Sequence, residues 1–229
     1  MGQTPEATSQ KPISRRVFLL RQLHAAAAVS LAGAGVHWPR ILSAAGEPDL
    51  VVATGRPAPA VHKALLELGG MGRFVRPGQR VVIKPNMSFP HPPERATNTH
   101  PEVVQAVVAA CKQAGAADVQ VLDHPLRSTE LCIEGIKKAC AVFDEDLVHG
   151  MKDSRHFKET TIPDGRIMKE TDVLKGVLKA DVLIAVPVAK SHSSTGVSLS
   201  MKGMMGLIYD RGVMHYRYDL STAIVDLAT

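Results

Sequence analysis

Aromatic residues are scarce in this sequence, at 4% of its 229 residues. Surfaces that stack nucleic-acid bases interleave aromatic and basic side chains, and no such stretch occurs here. The formal charge of +5 does not restore that reading. Most of it lies in residues 1–45, where Lys11, Arg15, Arg16, Arg21 and Arg40 stand against Glu6 alone. The remainder is close to neutral and has no basic stripe, so nucleic acid is excluded as a partner. Cysteine is also sparse. Cys111, Cys132 and Cys140 form an odd set without C-x-x-C spacing, which argues against a zinc or iron–sulfur centre built from these three. Their apolar surroundings predict buried thiols acting as small hydrophobes; one disulfide with a thiol left over is the alternative. No run approaches the ~20 apolar residues of a membrane span, so none is expected in the mature chain. The G-x-x-x-x-G-K-[ST] and G-x-G-x-x-G phosphate loops are absent too.

What is present begins with Ser14-Arg15-Arg16-Val17-Phe18-Leu19-Leu20, which follows the pattern S-R-R-x-F-L-x. A mild Ala- and Gly-rich segment, Ala25 to Val36, comes after it, and small residues at Ser43 and Ala45 suit cleavage after Ala45. Arg15, Arg16, Phe18 and Leu19 thus read as a twin-arginine export signal over residues 1–45. Its weak hydrophobicity steers a precursor to the twin-arginine translocase, which moves folded proteins. The expected location is the periplasm or the outer face of the cytoplasmic membrane, and an uncleaved signal kept as an anchor is the alternative. Export after folding is compatible with a cofactor inserted in the cytoplasm, but no residue names one.

From residue 46 onward short apolar runs alternate with helical periodicities. Strands are expected at Leu50–Ala53, Arg80–Lys84, Asp118–Asp123, Leu147–Val148 and Asp181–Val186. Helices are expected at Pro57–Leu68, from Thr99 to Gly115, at Thr129–Ala141, at 171–179 and from Gly196 to Ile208. Thr99-His100-Pro101-Glu102 has the spacing of a capping box, with the Thr99 hydroxyl as cap. Residues 151–170 interrupt the alternation with a polar hairpin around Pro163-Asp164-Gly165. This order predicts an α/β domain over 46–229, with a largely parallel sheet and helices on both faces.

In such sheets ligands collect beyond the carboxyl ends of the strands. Three strand ends carry polar chemistry. Lys84-Pro85-Asn86 puts an ammonium at the end of a buried strand, where it has to reach the rim for a partner. Asp123-His124-Pro125 offers a carboxylate for a metal or a proton, or simply a turn. Lys190-Ser191-His192 through Thr195-Gly196 to Lys202-Gly203 and Gly206 gathers hydroxyls, glycines and cations before an expected helix N-terminus, a setting that suits an anion. His192 fits a general base, a metal ligand or a plain loop residue.

These segments together resemble the bacterial and archaeal family known only as domain of unknown function 362. The resemblance rests on Val81-Val82-Ile83-Lys84-Pro85-Asn86, on Thr97 to Val104, on Gly115-Ala116 before Val119 to Asp123, and on Lys190 to Gly206. Relatives commonly place asparagine where this chain has Gly203. The resemblance implies an exported protein in many members and a ferredoxin-like iron–sulfur module in others, but no reaction. It also implies that relatives continue beyond Thr229, so a partial reading frame with a C-terminal region that completes the site is expected.

Two functions follow as expectations. One is an exported protein, with or without catalysis, that binds a small anionic ligand. Lys84, Asn86, Lys190, Thr195, Gly196, Lys202 and Gly203 would hold it, and His192 and Asp123 would manage a proton or a metal. The other is a redox or metal-binding accessory protein of the cell envelope whose cofactor site is shared with the C-terminal region.

Overall fold

The computed structural model describes residues 48–229. The export signal expected over residues 1–45 and the cleavage expected after Ala45 lie outside the described residues.

The fold is organised by β1 (Arg80–Pro85), a run of β-branched residues that is buried after its first position. A strand apolar on both faces belongs in the middle of a parallel sheet. β1 accordingly pairs in parallel with β2 (Asp118–Asp123) on one side and β6 (Val182–Val186) on the other. β3 (Val148–Gly150) lies beyond β2, giving the order β3-β2-β1-β6.

Val81, Ile83, Val119 and Val121 meet α1 (Pro57–Glu67), α2 (Pro101–Gln113) and α3 (Thr129–Cys140) in one apolar layer. α2 contributes Val104, Val107, Val108 and Cys111, the i, i+3, i+4, i+7 set of an amphipathic helix. Full burial of one such aliphatic side chain stabilises by about 1.5–3 kcal/mol. The opposite faces of β1 and β2 present Val82 and Leu122 to Phe157, Leu174 and Leu207. Those partners come from β4 (Phe157–Thr161), from β5 (Glu170–Leu174) and from the 3-10 turn Met204–Leu207; α4 (Lys175–Lys179) adds Val177 to that layer. Helices therefore occupy both faces, as expected for an α/β domain.

β4 and β5 form an antiparallel hairpin whose connection contains Pro163-Asp164-Gly165. The buried Asp226 carboxylate accepts from the Ile167 and Met168 amides and pins that connection. Asp226 belongs to α7 (Leu220–Leu227), which packs with α6 (Arg211–Tyr216) on the hairpin's apolar side through Met214 and Ile224. β7 (Lys190–His192) and β8 (Gly196–Ser198) form a second small hairpin, followed by α5 (Ser200–Gly203).

Several sequence expectations require correction. Leu50–Ala53 is not a strand; Leu50 and Val52 are exposed and have no ladder to join. Residues 171–174 belong to β5, because Val173 and Leu174 pack under the sheet in extended form, and only 175–179 is helical. The segment from Gly196 to Ile208 is not one helix but β8, α5 and a 3-10 turn. α2 starts at Pro101 with His100 as its cap, its Nδ1 accepting from the Glu102 amide at 3.2 Å. The Thr99 hydroxyl is occupied elsewhere. It donates to Val186 O at 2.6 Å and accepts from the Asn86 amide at 2.8 Å, tying the ends of β1 and β6 together.

Cys111, Cys132 and Cys140 are free and buried. Burial pushes the thiols of Cys111 and Cys140 up to about 11, which keeps them protonated and unreactive. Among the described residues no helix is long and apolar enough to cross a membrane.

Candidate functional site

The strand order places a topological switch between β1 and β6. The connections β1–β2 and β2–β3 run through α2 and α3 on one face, while β3 reaches β6 through the β4–β5 hairpin and α4 on the other. The chain leaving β1 and the chain leaving β6 separate there, and a crevice opens at the carboxyl edge. It is a cleft of about 800 Å³ whose walls include Lys84, Asn86, Asp123, Lys190, His192 and Lys202. Gly203 and Gly206 also border it. Residues up to 122 positions apart in sequence, from Lys84 to Gly206, are thus brought to one edge. Thr195 and Gly196 are not among them. Thr195 ends the turn of the β7–β8 hairpin, its hydroxyl donating to Val197 O, and Gly196, at φ +69°, begins β8.

The floor is an ion pair. Lys84 is 4% exposed and Asp123 is fully buried, and Lys84 Nζ donates to Asp123 Oδ1 at 2.7 Å and to Pro85 O at 2.5 Å. The expectation that Lys84 must extend to the rim is corrected by this partner, which satisfies it inside the protein. Asp123 is held in turn: Oδ1 accepts from the His124 amide and Oδ2 from the Met87 amide at 2.7 Å. Lys84 has one ammonium N–H beyond the two engaged by protein, and the residue borders the cleft. Gly206 closes over the pair. A Cβ there would sit 2.2 Å from Asp123 Oδ1 and 2.8 Å from Lys84 Nζ, so only glycine permits this approach.

Lys190 stands on β7. Its Nζ donates to Thr97 O at 2.5 Å and lies 4.9 Å from the centre of the Phe89 ring. With the Asn86 amide nitrogen donating to Thr97 O, the Asn86 oxygen accepts from Lys190 Nζ at 3.2 Å. Asn86 therefore links the strand-end loop to the hairpin cation. Burial lowers the Lys190 pKa, with Asp123 opposing the shift and Lys84 adding to it. Lys202, on α5, has no hydrogen-bond or ion-pair partner among the described residues. Its pKa is lowered by desolvation first and then by Arg211, Lys190 and Lys84. His192 is lowered by desolvation and by the neighbouring charges of Lys202, His215 and Lys190, which favours its neutral form.

The expected helix N-terminus is corrected as well. α5 has four residues and no side-chain cap, so charge in the cleft comes from side chains rather than from a helix end. Among the described residues no group of three or more His, Cys, Asp or Glu is gathered as metal ligands would be.

Sequence reasoning missed Arg211, Arg95 and Tyr209, which line the cleft together with His215, a residue that the sequence offers as a metal ligand alongside His192, Asp123 or His91. Arg211 donates to His124 O at 2.7 Å and to Pro125 O at 3.3 Å. Tyr209, Arg211 and His215 follow the 3-10 turn Met204–Leu207 rather than a strand, and only the return of that turn over Asp123 brings them to the edge; Arg95 instead ends the short 3-10 turn Pro93–Arg95 in the loop after β1. The density of Tyr, Arg and His over 209–218 was the available signal.

Over 149 residues the chain is 31% identical to a thylakoid-associated protein of Synechocystis sp. (strain ATCC 27184 / PCC 6803 / Kazusa), a stretch that covers 64% of this chain. It spans 44% of that relative, less than half its length. Residues 81–229, which include the central strand, the ion pair and both hairpins, match the family described as Domain of unknown function (DUF362), and the chain belongs to that family.

Proposed function

We propose that the cleft binds a small anionic ligand in an exported protein. One observation carries the first half of this reading. Five Lys or Arg side chains line the cleft against two carboxylates, Asp123 and Asp210, and both carboxylates are engaged. Asp123 holds Lys84, and Asp210 Oδ1 accepts from the Val213 amide at the start of α6. The positive excess has no counter-charge within the described fold, and a bound anion supplies it.

The residues divide by role. Lys84, Lys190, Lys202 and Arg211 contact the anion, and Asn86 and Asp123 act through Lys190 and Lys84 by fixing their positions. His192 Nδ1 accepts from the Ser194 amide at 3.2 Å, so in its neutral form the ring carries its hydrogen on Nε2 and offers that N–H as a donor to the bound anion. Export rests on the Ser14–Leu20 pattern. A thylakoid-associated relative is compatible with work at a membrane surface.

Calorimetric titration of the full chain with inorganic phosphate and with citrate tests the site. Saturable binding that weakens about tenfold or more in Lys202→Ala, a loss of ~1.4 kcal/mol, supports it. Absence of binding of either anion, or unchanged affinity in Lys202→Ala, defeats it.

A further inference from the structure

The charged residues account for only part of the cleft. Its other wall is apolar and aromatic. Tyr209 lines it and remains 40% exposed, beside Leu126, which is 52% exposed. An exposed ring usually moves freely, but this one is fixed on three sides. The Tyr209 amide donates to Asp172 O at 3.0 Å, which anchors its backbone to β5. Its ring stacks on buried His124, with centres 6.2 Å apart and planes within 9°, and meets Phe157 at 5.2 Å with the planes tilted by 58°. His124 is itself fixed, its Nδ1 paired with Ile208 O at 2.9 Å. The result is a rigid aromatic platform within a cationic cleft.

Size points the same way. Clefts of about 300–1,000 Å³ hold drug-sized molecules, whereas an inorganic anion fills a small part of such a space. The cleft here is about 800 Å³. Its position at the switch between β1 and β6 is where open α/β sheets receive mononucleotide-sized ligands. The first crossover carries a Pro-rich segment rather than a glycine-rich phosphate loop. Phosphate contacts would therefore fall to side-chain cations.

Resting on the anion-site reading above, we propose that the ligand is of the nucleotide class. Its phosphate lies among Lys84, Lys190, Lys202 and Arg211, and its planar ring lies on Tyr209. Stacking on such a ring is worth a five- to hundredfold change in affinity, roughly, and is tolerant of the base.

The test is calorimetric titration of the full 229-residue chain with AMP, with ribose 5-phosphate and with inorganic phosphate. The proposal expects AMP to bind about tenfold tighter than ribose 5-phosphate, the contribution of the ring. Tyr209→Leu should remove that difference and leave the affinity for ribose 5-phosphate unchanged. The comparison of ligands on the unaltered chain stands even if that variant does not fold. Equal affinities for AMP and ribose 5-phosphate overturn the nucleotide proposal and leave the anion site standing. Failure of all three to bind overturns both.

Discussion

Lys84 Nζ and Asp123 Oδ1 meet at 2.7 Å across the ends of β1 and β2, with both side chains closed off from solvent. Removing one partner leaves a buried charge without compensation, which typically costs about 3–5 kcal/mol. Asp123→Asn and Lys84→Met should each lower stability on that scale in urea unfolding. The double variant Lys84→Met/Asp123→Asn should lose less than the sum of the two. Additive losses would mean that the two groups do not stabilise each other.

The Thr99 hydroxyl bridges Asn86 N and Val186 O, and so it joins two strand ends rather than capping a helix. Thr99→Val keeps the shape and leaves two partly buried polar groups, Asn86 N and Val186 O, unpaired, at a cost of about 1 kcal/mol for each, the low end of the range for buried groups. Thr99→Ser should restore most of the loss. Circular dichroism should show no decrease in helix content for Thr99→Val, since α2 is capped by His100.

The buried His124 imidazole has its pKa lowered from 6.5, by desolvation first, against the opposing pull of the Ile208 carbonyl. The folded protein therefore takes up a proton less readily than the unfolded chain. This contribution to stability is complete above pH 6.5 and is lost as pH falls below that value and through the lowered folded pKa. The slope for one group is at most about 1.4 kcal/mol per pH unit. Urea unfolding between pH 7.5 and 5 should show this decline, with His192 adding to it in the same direction. His124→Gln should flatten the profile; an unchanged profile would remove His124 as its source.

The export proposed above would depend on the paired guanidinium groups of Arg15 and Arg16 and not on charge alone. Replacing Arg15 and Arg16 together by Lys should leave the precursor in the cytoplasmic fraction. Full recovery of the double-lysine form from the envelope would overturn the export reading.

The strands that organise the sheet were legible from short β-branched runs between turn signals: Val81-Val82-Ile83 is continuous and suits a strand buried on both faces, and Val119, Val121 and Leu122 flank the half-buried Gln120. The cleft-forming role of Lys84, Asn86, Asp123, Lys190 and His192 followed from parallel order alone. The errors arose where a local pattern had a tertiary competitor. Thr99 and Glu102 have the spacing of a capping box, yet the hydroxyl went to a partner 87 residues away. Residues 171–174 carry a short apolar run that suits either state, and pairing with β4 decided it. Gly196, Gly203 and Gly206 divide the expected helix before Ile208, and Gly206 is there to let the backbone approach the ion pair. Tyr209 and Arg211 were unreadable as site residues, because their place depends on that approach.

The ladder that joins β1 to β6 has a kinetic consequence. Arg80 and Asp181 form a bidentate ion pair at its start although they are 101 residues apart in the chain. At ribosomal rates of 5–20 residues per second, one edge of β1 waits about 5–20 s for its second neighbour. During that interval an apolar, hydrogen-bonding strand is exposed to other nascent chains. Closure of the sheet by β6 is thus a late step, and any export route that accepts only finished proteins must let that interval pass before it admits this one.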